Sequence, residues 1–371
     1  MPRQLPRRHD LVPSLRVSEW GVTPSGQTVH RVVLGSEPGV VLHLLTLGAT
    51  VHRLEVAAGG PRRNVALGHR DPADYLGSTD FVGGTIGRYA NRIARGHAVI
   101  DGVEVALGTH DRGHHLHGGP DGFDRRVWEL ADVGDDHAVL RLQSPDGDQG
   151  FPGNVTAQVT FTLSGDDVRI DLEATTDATT LVNLTSHAYF NLDGDGSGTI
   201  DGHDLTVHAE RYTPVDATGI PLCDHAPVAG TAFDFRRPAP IGSAVRRDEQ
   251  QVAWAHGIDH NYVLDGDGWR AAAVLESRRA GTRMELRTDQ PGLQVYTGNS
   301  LDGARRDADG GLYRQGDGIA LEPQLFPDSP HHPEWAQAVL RPGETYRAAL
   351  EWRFSAWRAG HPDFTDPDAL R

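Results

Sequence analysis

The chain has 371 residues, 38% of them hydrophobic and 23% charged, enough apolar material for a packed core. Its 35 basic and 51 acidic residues give a formal charge of −16, which argues against nucleic acid or an anionic membrane as partner and favours a neutral small molecule. The 44 Gly and 23 Pro exceed what a helical protein tolerates, and the one cysteine, Cys223, leaves no intramolecular disulfide.

The N-terminal MPRQLPRRHDLVP has charges without an apolar stretch, so it does not read as a secretory signal. No apolar run reaches membrane-span length. These features predict a soluble, cytoplasmic protein. Residues 1–14 and 359–371 read as loosely ordered ends around a single domain over 15–358. VVLHLLTLGATVHRLEV (40–56) predicts two strands around Gly48, and DPADYL (71–76) a short helical turn. IGRYANRIARG (86–96) brings Arg88, Asn91, Arg92 and Arg95 together. A guanidinium can grip two ligand oxygens and an amide can both donate and accept, although a solvated loop reads the same way. HAVIDGVEVAL (97–107) predicts a hairpin turning at Asp101-Gly102.

HHLHGGPDGFDRRVWEL (114–130) holds His114, His115 and His117. On a strand, His115 and His117 would share a face and, with Glu129, offer a metal site; a Gly-terminated loop of hydrogen-bonding histidines is the other reading. NVTAQVTFTLSGDDVRIDLEATT (154–176) alternates cleanly on both sides of a turn, which predicts an antiparallel hairpin with one buried face. NLTSHAYFNL (183–192) predicts a strand. Its even residues form a core face, while Asn183, Thr185, His187, Tyr189 and Asn191 form a hydrogen-bonding face suited to a polar, uncharged ligand. DEQQVAWAHG (248–257) predicts a helical turn. In HGIDHNYVLDG (256–266), Asp259 would share a face with Asn261; in PGLQVYTGNSLDG (291–303), Gln294 would share one with Tyr296. IALEPQLF (319–326) puts Glu322 in an apolar strand, where a carboxylate must be paired or used. The pattern is all-β, a sandwich or a barrel.

Ten segments come in the order found in one family: GRYANRIARG, LHGGPDGFDRRVWE, SPDGDQGFPGN, TSHAYFNLDG, RYTPVDATGIP, GTAFDFRRP, GIDHNYVL, PGLQVYTGN, ALEPQLFPDSPHHPEW and LRPGETY. Over nearly the whole chain the sequence resembles the aldose 1-epimerases, or galactose mutarotases. The resemblance implies a large antiparallel β-sandwich, the supersandwich, with few short helices and an open cleft. It implies an isomerase that interconverts the α and β anomers of free hexoses such as D-glucose and D-galactose by acid–base ring opening. No cofactor or metal is needed, and the chain would be a monomer or homodimer. On this resemblance His187 is the general acid and Glu322 the general base, lying on either side of the pyranose. Asn91, Arg92, His117, Asp259 and Gln294 hold the sugar, and Tyr189 lies in the same site strand. Asp259 is expected near His187 and Arg92 near Glu322. Ser186, Pro323 and Leu325 depart from the usual family residues and bear on substrate preference. The fold leaves two further readings: a hexose-phosphate epimerase using Arg88, Arg92 or Arg95, and a non-catalytic sugar-binding protein.

Overall fold

The structure is a computed structural model that describes residues 16–222, 225–307 and 310–359. Cys223, the expected N-terminal tail and all but the first residue of the expected C-terminal tail lie outside the described residues. The architecture is all-β, as the alternation predicts. A nine-stranded antiparallel sheet runs in the order Glu129–Val133, His137–Ser144, Val155–Ser164, Asp167–Thr176, Tyr346–Ala356, Thr282–Thr288, Arg270–Ser277, Asp204–Val207, Ala239–Pro240. A six-stranded antiparallel sheet runs Tyr189–Phe190, Ile319–Gln324, Gly292–Tyr296, Asp259–Val263, Arg211–Thr213, Ala226–Pro227. A five-stranded antiparallel meander occupies residues 17–64. Side chains from all three sheets, among them Leu44, Val159, Ile170, Phe190, Leu321 and Trp352, form one continuous core.

The expected hairpins form where the alternation placed them. Val41–Leu45 pairs with Thr50–Val56. His97–Ile100 pairs with Val103–Ala106 through Asp101 and Gly102, both at positive φ, the turn that matches strand twist. Val155–Ser164 pairs with Asp167–Thr176 without a break, alternating buried and half-buried residues. Both expected helical turns are present. Pro72–Gly77 is capped by the Asp71 carboxylate, which accepts from the Asp74 N–H; Gln250–Ala255 ends at His256 in left-handed conformation. A third short helix, Ile241–Ala244, was not expected. Among the described residues no helix is long and apolar enough to cross a membrane.

The predicted single strand over 183–192 does not form. Thr185–Ser186 pairs with Thr85–Ile86, whereas Tyr189–Phe190 pairs with Ile319 and Ala320 in the six-stranded sheet. Two different partners take the two halves, so the chain bends between them, at His187. The alternation still sorts the side chains, with Leu184, Ala188, Phe190 and Leu192 in the core. The other face is not open to solvent, because all ten residues are buried.

Candidate active site

The six-stranded sheet sets the floor of the site through its register. In an antiparallel pair, residues directly opposite share a face. One row across the sheet reads Tyr189, Ala320, Tyr296, Asp259, and the next reads Glu322, Gln294, Asn261, Thr213. Above this floor a cleft of about 410 Å³ is walled by segments around residues 79–81, 91–92, 110–117 and 254–256. Seven of the eight site residues expected from sequence line it: Asn91, Arg92, His117, His187, Tyr189, Asp259 and Glu322. The eighth, Gln294, lies beside it and donates from Nε2 to Asp259 Oδ1 at 2.6 Å.

His187 is held at its backbone. Its N–H donates to Gly84 O at 2.8 Å, and its carbonyl accepts from the Gly83 N–H at 3.0 Å. Gly83 has φ +71°, and a Cβ there would lie 2.2 Å from Val51 O, so only glycine fits. His187 Nε2 stands 3.6 Å from Glu322 Oε1, with both side chains at most 4% exposed. His187 Nδ1 and Glu322 Oε2 are buried without a hydrogen-bond partner. The two groups therefore sit side by side on one floor. The expectation that they flank the ring from opposite sides is corrected by this geometry.

The expected neighbours act in the expected directions and are outweighed. Burial lowers the His187 pKa to about 4, against the raising effect of the Asp259 charge. Burial, with Asp259 adding to it, raises Glu322 well above the usual carboxylate range, against the opposing charge of Arg92. Burial thus disfavours both charged forms, and the mechanism below needs one proton between the two groups. Desolvation favours keeping it on Glu322 with His187 neutral; the ion pair is the same pair with that proton moved to His187.

His117 is buried, and desolvation, with the charges of His187 and Arg92, lowers its pKa well below that of a free histidine. Its Nδ1 accepts the Asn91 N–H at 3.1 Å, so the neutral ring carries its proton on Nε2. His117, His187 and Glu322 are the one cluster among the described residues whose donor atoms lie within metal-sharing reach, 4.8 Å. The donor set fits a metal poorly, because a His117 ring that accepts at Nδ1 and is protonated at Nε2 has no free lone pair. The metal reading of His115, His117 and Glu129 fails on geometry. The strand there is only His115–Leu116, and His117 turns away in left-handed conformation. His115 is buried edge-on against Phe151 with Nδ1 at 3.0 Å from Gly108 O, and Glu129 is exposed.

The three arginines Arg88, Arg92 and Arg95 do not gather in one pocket. Arg88 is buried and spends its guanidinium on Ser144 Oγ and on the carbonyls of Ser144, Pro145 and Pro152. Arg95 is exposed outside the cleft. Arg92 does line the cleft and is bound at Nε to Asp111 Oδ2 at 2.8 Å. The polar face of 183–191 also divides. Asn183 donates to Ala90 O at 3.1 Å and accepts the Leu325 N–H at 3.0 Å; Thr185 donates to Pro323 O; Asn191 donates to Gly198 O and Asp317 O. These three fasten backbone, two of them next to Asn91 and Glu322. Only His187 and Tyr189 reach the cleft.

Sequence reasoning missed Asp80, Phe81, Arg112, Trp254 and Ser300 as lining residues. Backbone conformation marks two of them, Phe81 and Arg112. Of ten non-glycine residues at positive φ among the described residues, five line this cleft: Phe81, Asn91, Arg112, His117 and His256. Such conformations persist where the surrounding structure enforces them, and they gather at functional sites.

The model of the aldose 1-epimerase family matches residues 30–353. The chain is 40% identical over 342 residues to the aldose 1-epimerase of Escherichia coli K12, covering 90% of this chain and 98% of that one. It is 38% identical over 339 residues to human galactose mutarotase, covering 91% and 97%. Among solved structures it is similar to a galactose 1-epimerase from Lactobacillus acidophilus, with a TM-score of 0.81, 29% identity, and 92% and 98% coverage. It is also similar to a GalM/aldose epimerase homologue from C. elegans, with a TM-score of 0.82, 27% identity, and 88% and 99% coverage.

Proposed function

The chain belongs to the aldose 1-epimerase family, and on that premise we propose how its cleft interconverts the α and β anomers of a free hexose, D-glucose or D-galactose. Glu322 as carboxylate takes the proton from the C1 hydroxyl, and His187 as imidazolium gives one to the ring oxygen. The C1–O5 bond breaks and the open-chain aldehyde forms. Rotation about C1–C2 turns the other carbonyl face to O5, and reclosure with the transfers reversed gives the other anomer. Protons balance over the cycle, and no electron is exchanged. Asn91, Arg92, His117, Asp259 and Gln294 hold the hydroxyls, with His117 donating from Nε2.

The observation that carries this reading is the 3.6 Å between His187 Nε2 and Glu322 Oε1 on the floor of the cleft. The two sugar oxygens that exchange protons are both bonded to C1. Two groups that are close neighbours can therefore reach both. The single proton of the pair supplies what the mechanism needs, an acid and a base together. Asp259 supports the imidazolium and Arg92 the carboxylate when the proton moves to His187. Bound hydroxyls add hydrogen bonds to both charges, which offsets part of the desolvation that favours the neutral pair.

Polarimetry of freshly dissolved α-D-glucose and α-D-galactose tests this. Wild type accelerates the approach to anomeric equilibrium, and Glu322→Gln and His187→Asn each lose about 10²–10⁴-fold in kcat. A variant that keeps a near-native rate sinks the assignment of its residue. Sugar binding without any rate above buffer marks a non-catalytic binder instead.

A further inference from the structure

Phe81 has no role in the proton transfers, yet it occupies a conspicuous place. It is a half-buried aromatic residue at φ +55°, a backbone conformation an L side chain of this bulk rarely adopts. Its ring lies 4.6 Å from that of His117 and 5.8 Å from that of His187. The conformation is enforced from both sides. Before Phe81, the Asp80 carbonyl accepts the Tyr189 hydroxyl at 2.9 Å, and the Asp80 carboxylate accepts the Ser300 hydroxyl at 3.2 Å. After it, the Gly84 N–H returns to the Phe81 carbonyl at 3.1 Å, and Gly83 and Gly84 grip the His187 backbone.

We propose that Phe81 is a positioning residue: its ring is the platform on which the apolar C–H face of the pyranose stacks, aimed over His187 by its left-handed backbone. This rests on the mutarotase reading above. Much of the cleft lining is polar, Asn91, Arg92, His117, Asp259 and Glu322 among it, and suits the hydroxyls of a sugar. A pyranose also presents C–H groups, and these need an apolar surface. Tyr189 is buried with its hydroxyl spent on Asp80, and the Tyr296 hydroxyl meets Ser300. Trp254 lines the cleft 37% exposed, but among the described ring contacts it touches neither histidine. Phe81 is the aromatic wall with no polar atom that lies against both histidines.

Equilibrium binding of D-galactose by calorimetry, mutarotation rates and thermal unfolding of Phe81→Ala, Phe81→Leu, Phe81→Tyr and Phe81→Gly test the proposal. Phe81→Ala and Phe81→Leu weaken Kd and raise KM about three- to tenfold, the worth of an aromatic contact, and Phe81→Tyr restores both to within about twofold of wild type. Phe81→Gly binds as weakly as Phe81→Ala but melts at a higher temperature, because glycine accepts positive φ without strain. Phe81→Leu with native Kd and KM, or a folded Phe81→Tyr that fails to rescue them, overturns the platform. Measuring binding apart from turnover separates the two readings: a wild type that binds galactose but does not catalyse ends the mutarotase reading and leaves Phe81 to be judged on Kd alone. A wild type that binds no hexose ends both.

Discussion

The hairpin over 155–176 and the floor strands around His187 and Glu322 are built from the same backbone and obey different rules. In the hairpin every second residue is buried and apolar, the others reach toward solvent, and ten pairs run without a slip. In Ile319–Gln324 all six residues are buried, as are all ten of 183–192. With both faces covered, each polar side chain there has left water and must find a partner. Asn183, Thr185 and Asn191 find backbone carbonyls. His187 Nδ1, Glu322 Oε2 and Gln294 Oε1 find none. The difference teaches that a polar face in a buried strand does not by itself mark a site. Polar atoms left unsatisfied beside an open cleft do.

Two substitutions break the comparison most forcefully. Glu322→Gln removes a buried carboxylate that lacks a full set of partners. We expect activity to fall about 10²–10⁴-fold while thermal stability holds or rises. Phe161→Ala in the hairpin leaves a cavity in a core that does no chemistry. Its expected cost is about 3–5 kcal/mol in urea unfolding, with kcat/KM of the folded fraction unchanged. A Glu322→Gln protein that unfolds readily, or a Phe161→Ala protein whose folded form is inactive, would erase the distinction between the two regions.

How much of this was legible follows the same line. Strand alternation reveals itself where one face meets water, so the hairpins at 41–56, 97–106 and 155–176 could be read from residue type alone. The break at His187 could not, because it comes from two distant segments, Thr85–Ile86 and Ile319–Ala320, each claiming one half. The helix Ile241–Ala244 is too short to display a period. The cleft residues were legible through family resemblance rather than local pattern. His187 and Glu322 are 135 positions apart by their numbering and meet only through sheet register. Phe81 was invisible, since nothing local in TDFVGG announces an aromatic residue at positive φ.

Asn183→Ala probes the boundary between the two kinds of polar residue. Its side chain ties Ala90 to Leu325, one residue from Asn91 and three from Glu322. Removing it leaves buried backbone groups unpaired at a cost of about 1–3 kcal/mol by chemical denaturation. We expect KM to rise with kcat nearly intact, because the loss is in placement of the binding loop and not in the acid–base pair. A variant with native stability would show that the amide is not a fastening.

The smallest effect is a movement of the pH profile, and its sign is fixed. On the proposed mechanism the pair works with one proton between His187 and Glu322, so the profile of kcat/KM reports macroscopic steps that belong to the pair. A second proton binds only well below the ordinary histidine range, since burial holds His187 at about 4. The last proton leaves only above the ordinary carboxylate range, since burial raises Glu322. The profile is therefore a broad plateau between an acid and an alkaline limb. The Asp259 charge raises both pKa values, so Asp259→Asn, although weaker in binding, should displace both limbs toward lower pH. Limbs that stay fixed, or that move apart, would mean the pair does not feel Asp259 through its charge, and Asp259 would then be a hydroxyl ligand alone.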